Sequence, residues 1–263
     1  TQPVGLKVQF GSDTKSFHPG RAAQNGMLAA LLAQQGYTAA ENAIEGFDGW
    51  GQAISPRRDW SEVTEGLGTR YELALNTYKP FACGIVAHPS IDAAIQLRNE
   101  AKLVPAQIAS VALRVHPLVL NLMGKTTPAV GLEGKFSIYH AVAVALVTGR
   151  GGDAAFSDGA VTDPAVVAVR QKVVASVDPT IKSDQADMTI TLADGRVLHK
   201  FIEHAVGSQQ NPMSDAQLED KFTGLAEGIL PPAQSRALMD LCWGAWELDD
   251  AGELGRAGAT VRV

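Results

Sequence analysis

The stretch MTITLADGRVLHKFIEH, residues 188–204, constrains the fold of this chain more than any other. Apolar and polar residues alternate in two runs that flank Ala193-Asp194-Gly195. A strand buries every second side chain, and Asp-Gly is a tight-turn signal, so the segment predicts an antiparallel hairpin. IASVALRVH, residues 108–116, repeats the alternation at Val111, Leu113 and Val115 and predicts a further half-buried strand.

The segments on either side read as helix. After Pro19-Gly20, Ala22, Ala23, Met27, Ala30, Leu31 and Ala33 predict a helix of small residues that stops at Gly36. Thr38 with Glu41 has the spacing of a capping box for a second helix, ending near Gly46. FDGWGQAISP, residues 47–56, reads as a loop. Helices are predicted over 90–103 and 134–149, and Ser214 with Gln217 caps a helical stretch that runs to about 247. Residues 1–11 read as an extended lead-in, with Val4, Leu6, Val8 and Phe10 alternating. The predicted fold class is therefore α+β, with helix-rich ends and a strand-bearing middle from about 76 to 205.

Composition bounds the function. The chain has 263 residues, enough for one large domain or two small ones. A net charge of -6 argues against a nucleic-acid surface, which needs clustered Lys and Arg, but leaves room for a locally cationic pocket that takes small anions. No apolar run has the length of a membrane span, and no signal-peptide pattern opens the chain. Two cysteines, Cys83 and Cys242, make neither a disulfide framework nor a four-cysteine iron–sulfur site, so a reducing, cytoplasmic setting is expected. The first residues, Thr-Gln-Pro without an initiator Met, read as those of a fragment, a processed product or a renumbered chain.

Four basic residues stand in a context that could carry chemistry: Lys15, His18, Lys79 and His88. Lys15 and His18 occupy what reads as a short polar loop before the first helix. Lys79 precedes Pro80, which biases it to extended backbone. His88 precedes Pro89 and a predicted helix N-terminus, where partial positive charge favours anions. Two such segments facing each other would form a cationic pocket for carboxylates. Cys83 reads as a small buried hydrophobe. His116, His140, His199 and His204 are scattered, and at least three of them read as structural. GRGGD, residues 149–153, follows a predicted helix rather than a strand and is not a phosphate loop. No cluster has metal-ligand spacing, and no G-x-S-x-G elbow occurs.

Four stretches, GSDTKSFHPGRAAQNGMLAALLAQQGYT, YKPFACGIVAHPSIDAAIQL, GKFSIYHAVAVAL and NPMSDAQLEDKF, occur in the order in which similar motifs occur in the MmgE/PrpD family. The chain resembles that family from near residue 5 to near 245. The family includes 2-methylcitrate dehydratase, cis-aconitate decarboxylase and iminodisuccinate epimerase.

The resemblance implies an all-helical domain interrupted by a smaller α+β lid domain, with the active site in the cleft between them. Residues 1–75 and 206–263 would belong to the first and 76–205 to the second. It implies Lys15, Lys79 and His88 as catalytic residues, with His18, Lys15 and Lys79 binding substrate. It also implies a cofactor-free, metal-independent lyase acting on a small di- or tricarboxylate, foremost a dehydratase of the 2-methylcitrate type. A decarboxylase or an epimerase is the rival. Family members are longer at the N-terminus, and that portion supplies further catalytic residues. The expected partners are the polycarboxylate, a second copy in a homodimer, and the missing helical half if a separate chain carries it. In that last case this chain is a non-catalytic half.

Overall fold

The computed structural model describes residues 5–9 and 11–260. It contains two compact units, residues 1–76 and 77–263.

In the first unit, one turn of 3-10 helix at Lys7–Gln9 replaces the expected extended lead-in, of which Val4 and Phe10 lie outside the described residues. Ser12, with extended backbone, precedes helix α1 (Asp13–Gln34). The helix starts well before Pro19-Gly20 and takes Pro19 into its interior. The proline removes one helical donor, the N–H that would reach the carbonyl of Lys15, while Asp13 complements the positive helix end. Lys15 and His18 are therefore helical residues rather than loop residues. Gly36 closes α1 with φ of 80°, and its N–H bonds to the carbonyl of Ala33.

The helix expected after Thr38 is instead a run of turns at residues 41–45. A capping pattern does not offset the cost of helix nucleation over so short a stretch. Conversely, α2 (Trp50–Ile54) forms where a loop was expected, with Gly51 buried beneath the ring of Trp60. A single turn, α3 (Ser61–Thr64), follows. No residue of α1 is buried, and Met27, Leu28 and Leu31 are exposed.

The second unit holds a four-stranded sheet and its core. Helix α4 (His88–Glu100) precedes β1 (Ile108–Val115). The chain then runs through α5 (Pro117–Met123), α6 (Gly131–Gly134), α7 (Ile138–Thr148), α8 (Asp158–Thr162) and α9 (Pro164–Arg170) to β2 (Val173–Val177). Strands β3 (Ala186–Leu192) and β4 (Val197–Ile202) form the predicted hairpin. The strand order is β2-β1-β3-β4, with β1 parallel to β2 and the other pairs antiparallel. Helices α10 (Asp215–Ala226), α11 (Pro232–Trp243) and α12 (Gly252–Ala257) complete the unit. Mixed helix and sheet make the fold α+β. Among the described residues, no helix is long and apolar enough to cross a membrane.

Alternation decides which face of the sheet is covered. Ala186, Met188, Ile190 and Leu192 of β3 are buried, and Asp187, Thr189 and Thr191 between them are not. Helix α4 packs on β3 and β4, and α7 packs on α4, α9 and β2. Eight of the eleven residues of α7 are buried, including Ile138, Val142 and Leu146, which is why its sequence is mostly apolar. On the open face, Arg114 pairs with Asp178 and Asp187, and His199 Nε2 lies 2.7 Å from Asp187 Oδ1. At the hairpin turn, Gly195 adopts φ of 87° and Asp194 Oδ1 accepts from the Arg196 N–H.

Candidate active site

Lys79 and His88 are brought together by the segment between them. Lys79 is exposed on a stretch without regular structure, and Pro80 fixes the backbone after it. Phe81 and Cys83 turn inward and are buried, and one 3-10 turn, Ile85–Ala87, leads into α4 at His88. His88 is only 3% exposed. Its ring meets Phe81 edge to face, with centroids 5.3 Å apart and planes at 81°.

Four distant pieces of sequence hold this segment. Ala82 N–H donates to the carbonyl of Gly151 at 2.9 Å, and Gly84 N–H to that of Lys135 at 3.4 Å. Lys135 in turn pairs with Asp153 at 2.8 Å. A side chain on Gly151 would stand 2.7 Å from the Phe81 ring, so the glycine-rich 149–153 loop is a packing surface for the segment. Gly207, at φ of 84°, passes so close that a Cβ would stand 2.5 Å from the Tyr78 carbonyl. From α10, Lys221 Nζ donates to the carbonyl of Lys79 at 2.6 Å.

Burial controls the ionisation here. His88 is pushed down to about 4, first by burial and then by the neighbouring charge of Lys79; hydrogen bonding to the backbone at Cys83 and Phe81 acts the other way, and the charge of Lys221 adds to the fall. The imidazole is thus neutral near pH 7. Its Nε2 is buried with no hydrogen-bond partner among the described residues, as is Ser90 Oγ two residues on. Burial pushes the Cys83 thiol up to about 12, against the charges of Lys79 and Lys135, so it is not a thiolate nucleophile.

Lys15 and His18 lie in the first unit, three residues apart on α1, a spacing that puts them on one helix face. Lys15 is exposed, and His18 is half-buried against Gly5, where a side chain would run into the imidazole. Of the four residues singled out in the sequence, Lys79 and His88 lie close together in the second unit, and Lys15 and His18 lie on one helix of the first.

The remaining histidines have local roles. His116 Nδ1 accepts from the Leu118 N–H and caps α5, and His140, fully buried, bonds through Nε2 to the Ala155 carbonyl at 2.8 Å. His199 pairs with Asp187, and His204 Nδ1 is 3.7 Å from Asp184. Sequence reasoning missed Lys221, Gly207 and Gly151. The one available signal was that Lys221 lies in the NPMSDAQLEDKF stretch, 142 residues beyond Lys79.

Comparison with known proteins gives two family matches: the MmgE/PrpD N-terminal domain over residues 1–63 and the MmgE/PrpD C-terminal domain over 81–245. A cis-aconitate decarboxylase of Aspergillus terreus is 26% identical over 97% of this chain and 56% of its own length. A 2-methylcitrate dehydratase of Cupriavidus necator is 30% identical over 58% of this chain and 35% of its own length. A cis-aconitate decarboxylase of Homo sapiens is 24% identical over 92% of this chain and 52% of its own length. The chain spans about half the length of the decarboxylases that it matches. With Lys15 and His18 inside the first family match, His88 inside the second and more than half of the residues covered, the chain belongs to the MmgE/PrpD family.

Proposed function

We propose that this protein acts as a cofactor-free, metal-independent lyase on a small di- or tricarboxylate, most simply as a hydro-lyase of the 2-methylcitrate type. The observation that carries the reading is the pairing of a neutral, buried His88, its Nε2 unpartnered, with the ammonium of Lys79. In dehydration a base removes a proton from a carbon next to a carboxylate. Negative charge builds on that carboxylate, the β C–O bond breaks, and the hydroxyl takes up a proton from the conjugate acid of the base and leaves as water. A cation placed where the charge develops supplies the main stabilisation. Lys79 has that role in this reading, and His88 is the proton acceptor.

A substrate with two or three carboxylates would also offset the lysine charges that depress His88, raising its basicity as it binds. Lys15 and His18 enter through their family motif, as substrate-binding residues, with Lys15 also catalytic. The α+β portion, 76–205, is the lid domain in this proposal, and residues 1–75 and 206–263 belong to the helical domain. We also propose that the working form is a cytoplasmic homodimer.

A second reading is decarboxylation, favoured by the breadth of the matches: relatives named cis-aconitate decarboxylase align over more than nine-tenths of the chain. A third is that this chain is a non-catalytic half completed by a partner chain. It is favoured by α1, which buries none of its residues. The experiment is an assay of the complete protein on 2-methylcitrate, citrate, cis-aconitate and iminodisuccinate, repeated with Lys15→Ala and Lys79→Ala. Loss on the order of 10²–10³ in rate is expected for each variant. Full activity in both would overturn the site.

A further inference from the structure

We propose that Lys221 is a positioning residue for Lys79: from α10 its ammonium clamps the Lys79 main chain, and so fixes where the Lys79 side chain projects beside His88. The inference rests on the reading above, in which Lys79 and His88 handle the substrate.

Three observations carry it. Lys221 Nζ donates to the Lys79 carbonyl at 2.6 Å. The acceptor is a main-chain carbonyl 142 residues away in sequence; Glu219 and Asp220, two and one residues before Lys221, face other sides of α10. Among the described residues Lys221 forms no ion pair, and Glu219 is taken by Arg236 at 3.2 Å and by Trp243 Nε1 at 3.0 Å.

The carbonyl it holds is also a decisive one. The Lys79 carbonyl belongs to the peptide that joins Pro80, whose ring fixes the next backbone angle. Fixing that carbonyl sets ψ of Lys79, which the following proline already biases to extended values. The neighbouring peptide is confined by Gly207, which leaves no room for a Cβ beside the Tyr78 carbonyl or Pro80 Cδ. Between them, Gly207 and Lys221 fix the main chain at residues 78–80 and leave the Lys79 side chain exposed.

The third observation is the start of α10. Ser214 and Gln217 form a complete capping box, so the helix that carries Lys221 begins at a defined residue. The charge of Lys221 also reaches His88, which places the ammonium near both members of the pair.

The test compares Lys221→Met, Lys221→Arg and Lys79→Ala in the complete protein, on whichever carboxylate it turns over best. A small misplacement of a reacting group costs on the order of 10²-fold. Lys221→Met should therefore lower kcat by at least about tenfold, up to that limit. KM should change less than kcat, and the thermal midpoint should stay within about 3 °C, equivalent to roughly 1 kcal/mol. Lys221→Arg keeps a cationic donor and should restore most of the loss.

If Lys79→Ala is inactive and Lys221→Met is as active as the parent, the positioning role is overturned and the site reading stands. A larger fall in midpoint for Lys221→Met, with Lys221→Arg normal in both midpoint and kcat, would assign Lys221 to structure alone and also overturn the proposal. Equal loss of kcat in Arg and Met would overturn it as well. Full activity in Lys79→Ala would instead sink the reading on which it rests.

Discussion

The imidazole of His88 meets the ring of Phe81 edge to face at 5.3 Å, and this contact seals the histidine from water. A histidine at a helix start would ordinarily titrate near neutral pH. Here the aromatic ring and the core behind it hold the neutral form, and Lys79 reinforces the effect.

Stability should therefore depend on pH through His88. Its folded-state value lies at about 4, against 6.5 for the free side chain. Between those values the unfolded chain binds a proton that the folded chain refuses, so stability is fully present above about pH 6.5 and falls as pH drops towards 4. The loss should be on the order of 3 kcal/mol for this group. Buried His140 is shifted in the same direction, again chiefly by burial. Thermal unfolding followed from pH 7 to pH 4.5 should show the decline, and His88→Gln should flatten it. A parent curve with no slope across that window would refute the assignment.

Opening the seal should raise the His88 value. Phe81→Ala removes the ring and admits water, so NMR titration of labelled histidine should find His88 shifted upward from about 4 towards the ordinary range. The same variant should lose about 3–5 kcal/mol of stability, read by urea unfolding, because a buried aromatic is replaced by a cavity.

Gly207 should tolerate no side chain. Its φ of 84° and the Tyr78 carbonyl beside it penalise Gly207→Ala twice, once for the backbone and once for the clash. We expect destabilisation of about 1–3 kcal/mol, measured by chemical denaturation. Gly224→Ala is the control: it lies inside α10 with open space around its Cα, and it should be neutral or slightly stabilising.

Ser214→Ala should loosen the start of α10. The Ser214 side chain accepts from the Gln217 N–H, and Gln217 returns a bond to the Ser214 backbone. Loss of such a cap costs about 1 kcal/mol. Hydrogen exchange should quicken first at the opening turn of the helix, and no change there would show that the cap is dispensable.

What the sequence determined by itself is local. Period-two alternation placed β1, β3 and β4, because each lies with one face on the core and one open. Asp194-Gly195 located the hairpin turn, and Ser214 with Gln217 located a helix start, because the residues that make each contact are adjacent in the chain. The four family motifs identified the family for the same reason. Local signals failed where local cost was outweighed. Pro19-Gly20 has the local signature of a boundary, yet α1 runs through it, so Lys15 and His18 share a helix face instead of a loop. Thr38 with Glu41 had the pattern of a cap but no helix long enough to repay nucleation.

Only the tertiary structure decided what surrounds Lys79 and His88. The contacts that hold them come from Lys135, Gly151, Gly207 and Lys221, which are far from the segment in sequence and carry no periodic signal. A histidine's ionisation depends on how completely other segments exclude water from it, and a lysine's direction depends on what grips its backbone. Both are properties of packing, fixed only once the chain has brought those distant residues to one place.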